Sequence, residues 1–125
     1  SQGWYDNIIW AGDPNNADRV IVGGIDLWRS TNGGTDVARI SQWQLAPLSA
    51  HADHHEIITP PAYDGTSNNT LLFGNDGGLY YGGNLWDTSA ANVTWQEINN
   101  NYGVTQFYGG DGNAQANRYF GGTQD

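Results

Sequence analysis

Short apolar runs, each ending in a glycine-bearing polar turn, organise the chain. Val20-Ile21-Val22 leads into Gly23-Gly24-Ile25-Asp26, Leu71-Leu72-Phe73 into Gly74-Asn75-Asp76, and Tyr119-Phe120 into Gly121-Gly122-Thr123-Gln124-Asp125. The three recur at about fifty residues, the spacing of a repeat built from one supersecondary unit. Upstream of each lies a second strand-like stretch: Asn7-Ile8-Ile9-Trp10, His55-Glu56-Ile57-Ile58 and Gln106-Phe107-Tyr108. Polar turns at 13–16, 60–69 and 111–117 separate the members of each pair. Downstream, Leu27-Trp28-Arg29-Ser30 and Val37-Ala38-Arg39-Ile40 flank a Gly33-Gly34 turn, and Leu79-Tyr80-Tyr81 and Val93 to Ile98 flank a longer loop. No stretch of useful length carries a helical period.

Each unit therefore reads as four short antiparallel strands, and the fold class as all-β. The period and strand count are those of β-propeller blades. One blade is expected over 4–41, a second over 51–99 and half of a third over 104–125. Two and a half blades do not close a ring, since propellers need at least ~4. The chain is thus expected to belong to a larger propeller, as part of a longer polypeptide or through self-association of several copies. A lone repeat unit cannot bury its own apolar faces.

Composition agrees with many strands and many tight turns. The chain has 18 Gly, 6 Trp, 7 Tyr and 3 Phe, with no Cys and no Met. Glycine, Asn and Asp supply the backbone angles of turns, and aromatic and β-branched residues suit pleated strands. The formal charge is −9, and the basic residues are Arg19, Arg29, Arg39 and Arg118. Such a surface repels phosphates and argues against nucleic-acid binding. No apolar run approaches the ~20 residues of a membrane-spanning helix. An acidic, lysine-free, aromatic-rich chain that starts at Ser1 fits a mature or excised piece of a secreted protein, extracellular or at a bacterial cell surface.

Ser30-Thr31-Asn32-Gly33-Gly34-Thr35-Asp36-Val37 resembles an Asp-box, the Ser-x-Asp-x-Gly-x-x-Trp turn of sialidase-like and sortilin-like propellers, with Asn32 and Val37 in place of its Asp and Trp. Around Gly82-Gly83-Asn84 the box is barely recognisable. The succession Gln2-Gly3-Trp4-Tyr5-Asp6-Asn7, His51-Ala52-Asp53-His54-His55, Gly74-Asn75-Asp76-Gly77-Gly78, Thr105-Gln106-Phe107-Tyr108 and Gly121-Gly122-Thr123-Gln124-Asp125 is similar to secreted bacterial BNR-type proteins, often labelled glycosyl hydrolases. The resemblance covers nearly the whole chain. It implies a propeller directed at an extracellular glycan; a structural or protein-interaction propeller remains the alternative, because fold does not dictate reaction.

In an antiparallel blade the start of the first strand lies beside the end of the second. One face is therefore expected to gather Asp6, Asn7, His51, Asp53, His55, Gln106 and Tyr108 with Asp26, Asn75, Asp76, Gln124 and Asp125. Asp6, Asp53, Asp76 and Asp125 are the candidate catalytic carboxylates, since glycoside hydrolysis uses two carboxyl groups ~5–9.5 Å apart. His51, His55, Gln106, Tyr108, Gln124 and the loop residue Trp86 are candidate ligand contacts. His51, Asp53 and His55 alternate, and on a strand would point to one side as a divalent-metal set. Their ends would stand ~13 Å apart, so a bent backbone or a further ligand would be needed. The alternative is a hydrogen-bonded lining in which Asp53 holds a histidine ring. Gly74-Asn75-Asp76-Gly77-Gly78 reads as a calcium loop or, more simply, a tight turn. No cofactor is required by any motif. Sialidase chemistry is not expected, because no arginine cluster is placed to bind a substrate carboxylate. The Asp-box turn joins third to fourth strand on the opposite face and is read as structural.

Overall fold

The computed structural model describes residues 3–102 and 107–123. Its strands are β1 (Ile8–Trp10), β2 (Val20–Gly23), β3 (Leu27–Ser30), β4 (Ala38–Arg39), β5 (His54–Ile58), β6 (Leu71–Asn75), β7 (Gly78–Gly83), β8 (Thr94–Glu97), β9 (Phe107–Asn113) and β10 (Arg118–Thr123). They form two four-stranded antiparallel sheets, β1-β2-β3-β4 and β5-β6-β7-β8, and a two-stranded hairpin, β9-β10. Single turns of 3-10 helix occur at Trp43–Leu45 and Ala90–Asn92. No helix among the described residues is long and apolar enough to cross a membrane. The all-β class and the order of strands within each four-stranded unit are as the sequence predicts.

Strand alternation gives each sheet two unlike faces. In the first sheet Trp10, Ile21 and Arg29 stand opposite one another across the strands, as do Ile9, Val22 and Trp28. Trp10, Ile21, Leu27 and Arg29 are buried, while Ile9, Val22 and Trp28 are exposed. In the second sheet Ile57, Phe73 and Tyr80 form the buried row, with Leu71 beside them. A single core cluster takes Trp10, Ile21, Leu27 and Ile40 from one sheet and Ile57, Leu71, Phe73, Tyr80 and Leu85 from the other. Burying each large apolar side chain contributes about 1.5–3 kcal/mol, so the shared core holds the sheets together.

Polar groups seal the seam. The His54 amide donates to the Gly24 carbonyl at 3.0 Å. The indole of Trp95 donates to the Ile40 carbonyl at 2.8 Å, and that of Trp10 to Thr59 Oγ1 at 2.8 Å. Buried Arg29 reaches from β3 to the carbonyls of Leu85 and Asp87. Its burial lowers its pKa despite the nearby Asp87 charge.

The internal repeat extends to matching backbone bonds. The Leu27 amide donates to Ser41 Oγ at 2.7 Å, and the Leu79 amide to Asn99 Oδ1 at 2.8 Å. Ile40 N donates to Leu27 O, and Ile98 N to Leu79 O. Leu27 and Leu79 thus hold the same place, as do Ile40 and Ile98. Trp95 then occupies in the second sheet the position that Val37 holds in the first. Between β3 and β4, Ser30 Oγ accepts from Gly34 N at 2.8 Å and Asn32 Oδ1 from Asp36 N at 2.9 Å. This turn spends its side chains on its own backbone, as expected of a structural element.

Gly82 shows how closely the second sheet is packed. A Cβ there would lie 2.7 Å from Phe73 Cε2 and 3.0 Å from Trp95 Cζ3. Gly82→Ala is expected to destabilise the chain by about 1–3 kcal/mol through overpacking. The check is a lower urea midpoint with an unchanged denaturant slope.

Candidate functional site

The start of β1 and the end of β6 meet at one end of the stacked sheets, because each strand pair turns back on itself there. Tyr5, just before β1, reaches Asp76, just after β6: its hydroxyl donates to Oδ2 at 3.0 Å and lies 3.2 Å from Oδ1. His55 Nε2 stands 2.7 Å from the same Oδ1, an ion pair when the imidazole is protonated. The Tyr5 and His55 rings meet edge to face, with centroids 4.9 Å apart. Donation to Asp76, with burial and the Asp76 charge, pushes the Tyr5 hydroxyl up to about 12.

This cluster borders a cleft of about 370 Å³ lined by Tyr5, His55, Asn75, Asp76, Asn99 and Tyr102 with two glycines. Asn75 Oδ1 accepts from Gly77 N at 3.0 Å, so Gly74 to Gly78 is a self-capped β6-β7 turn. Asn75 Nδ2 is buried without a hydrogen-bond partner. Asn99 is fully engaged, accepting from Leu79 N and donating to Gly77 O and Glu97 Oε1.

The structure places the predicted residues unequally. His55 and Asp76 are in direct contact. Asp53 and Tyr108 lie close enough to Tyr5 to raise its pKa through their charges. His51 packs on the β6-β7 turn: a Cβ on Gly77 would lie 2.5 Å from His51 Cγ. Asp6 is buried and borders a different cleft of about 540 Å³, with Asn7, Asp26 and Trp28 among its lining. Its Oδ2 has no hydrogen-bond partner. Gln106, Gln124 and Asp125 lie outside the described residues.

Two expectations are corrected. His51, Asp53 and His55 do not alternate along a strand: β5 begins at His54, Asp53 has a left-handed backbone with φ 60°, and the pairing slips between His54 and Glu56. Among the described residues no group of three His, Cys, Asp or Glu is arranged to hold a metal ion. Trp86 is not an exposed platform. Its ring stacks on Trp10 at 5.8 Å, Arg19 lies over it at 5.1 Å, and its indole N–H donates to the Tyr63 hydroxyl at 2.8 Å.

Sequence reasoning passed over Tyr5, although it adjoins Asp6 at a first-strand start and obeys the same topological rule. It also passed over Tyr102 and Asn99. The polar residue after Ile40 and after Ile98 was a readable signal for the latter. Comparison with models of protein families, with curated proteins and with solved structures returns no match.

His54 is fully buried and both ring nitrogens lack partners. Burial, aided by the His55 and His51 charges, lowers its pKa to about 4. The unfolded chain binds this proton near pH 6.5, so its contribution to stability is complete above that pH and is lost as pH falls toward 4. That shift corresponds to a loss of up to about 3 kcal/mol. His54→Leu is expected to flatten the stability profile in this window, measured by urea unfolding at pH 7.5, 5.5 and 4.

Proposed function

We propose that the chain is a segment of a secreted, Asp-box-type propeller that binds an extracellular glycan at the Tyr5–His55–Asp76 cleft. The observation that carries the reading is the cleft's polar lining: the Asp76 carboxylate borders a concave space of about 370 Å³ together with Asn75, Asn99 and the Tyr102 ring. A sugar hydroxyl can donate to such a carboxylate while its ring packs on an aromatic face. Tyr5 and His55 fix the carboxylate while leaving it capacity for a further bond, since an ionised carboxyl has roughly four acceptor positions. Tyr102, half exposed at the rim, offers a ring for stacking.

Binding is favoured over hydrolysis. Asp76 is committed to two partners, and Asp6 borders the other cleft rather than facing it. No cofactor enters this reading.

A glycan array followed by titration with soluble polysaccharides tests it. Asp76→Asn and Tyr102→Ala are each expected to weaken binding about tenfold, the effect of one hydrogen bond or one stacking contact. The melting temperature should shift little for Tyr102→Ala. A chain that binds no saccharide on the array, or whose binding ignores both substitutions, refutes the proposal. Hydrolysis of a bound polysaccharide, abolished by Asp76→Asn, would assign catalysis to the same cleft.

A further inference from the structure

The two sheets are stacked in the same sense, and this leaves two complementary faces open. Leu27 lies on the first sheet's buried face, whereas Leu79, its counterpart by backbone bonding, lies on the side of β7 opposite buried Tyr80. The face that the first sheet buries therefore corresponds to the face that the second sheet leaves outward. The reverse also holds: Phe73 and Tyr80, buried in the second sheet, correspond to Val22 and Trp28, exposed in the first.

Both outward faces are apolar. On the first sheet Ile9 is 70% exposed, Trp28 40% and Val22 37%. On the second, Ile58 is 47% exposed and Tyr81 38%, with Leu72 and Leu79 half buried beside them. Patches of this kind on adjacent strands mark interaction surfaces. Arg39, beside Trp28 on the first face, is half exposed and only loosely paired with Asp26 at 3.8 Å, and can meet Glu56, which stands on the second face. The hairpin β9-β10 covers neither, since every described residue of it is exposed.

We infer that these faces join copies of the chain head to tail, the outer face of the second sheet in one copy packing on the outer face of the first sheet in the next. The contact repeats the packing already made inside the chain. It is heterologous, so each copy keeps one face free and growth continues until a ring closes or a filament forms. The inference is independent of the glycan reading, and in it the further blades of the propeller come from other copies of the chain.

Sedimentation velocity of the 125-residue chain at physiological salt, from low micromolar to near-millimolar concentration, tests it. A concentration-dependent series of oligomers is expected. Trp28→Glu and Tyr81→Glu should each weaken association about tenfold or more, as hot-spot losses do. An equimolar mixture of the two variants should form heterodimers and stop there, because one intact face remains on each. Ile9→Lys and Ile58→Lys, at more exposed positions, provide a second pair should either first variant misfold by circular dichroism. A chain that stays monomeric throughout overturns the inference. So does association that ignores both substitutions, or a single variant that dimerises with itself as strongly as the parent chain.

Discussion

A four-stranded sheet with strands of two to six residues cannot keep water from either of its faces unless something is laid against one of them. Here that something is the other sheet. Trp10, Ile21 and Leu27 on one side and Ile57, Phe73 and Tyr80 on the other exclude water only together. A polar group buried at the seam without a partner costs about 1–3 kcal/mol. Trp10, Trp95 and Arg29 avoid that cost with bonds to the opposite unit. Their aromatic and aliphatic parts pack while their nitrogens bond, so the seam is both apolar and specific.

The same stacking creates the cleft. Laying the sheets in one sense brings the residues before β1 against the β6-β7 turn, and so sets Tyr5 on Asp76 although they are 71 positions apart in sequence. His54 and His55 show how strongly position decides chemistry. His54 enters the core, where burial keeps it neutral; His55 faces the cleft and pairs with Asp76. A buried imidazole with no partner is costly. It is held in place by backbone bonding to Gly24 and by the edge contact with Phe73.

The strands were legible in the sequence because their apolar runs are short, bounded by turn residues and repeated. Val20 to Val22 and Leu71 to Phe73 are such runs, and the structure pairs them as read. Strand direction brings His55 to Asp76, but Asp6, Asn7 and Asp26 border a different cleft. Side-chain geometry was not legible. Alternation of His51, Asp53 and His55 presumed a regular strand, and a left-handed residue with an adjoining slip in register breaks it. A place in a long loop predicts an exposed Trp86, but loop length says nothing of whether Trp10 and Arg19 pack against it. Such contacts join segments far apart in sequence, and local pattern carries no record of them.

The two sheets share a plan but not a chemistry, and the turn between their second and third strands shows why. In the first sheet three residues, Gly24-Ile25-Asp26, close the turn. Asp26 folds back on it: Oδ1 accepts from Ser41 Oγ and from Trp43 N, each at 2.9 Å, and Oδ2 lies 3.8 Å from Arg39. That carboxylate is consumed by its own sheet. In the second sheet the strands pair one step further and leave a two-residue turn, Asp76-Gly77, and the role of Ser41 passes to Asn99, which is held by Glu97 rather than by a turn carboxylate. Asp76 is thereby released from structural duty and meets side chains from elsewhere, Tyr5 from the first unit and His55 from β5. A one-residue difference in turn length separates a carboxylate that holds its sheet together from one that can face a ligand.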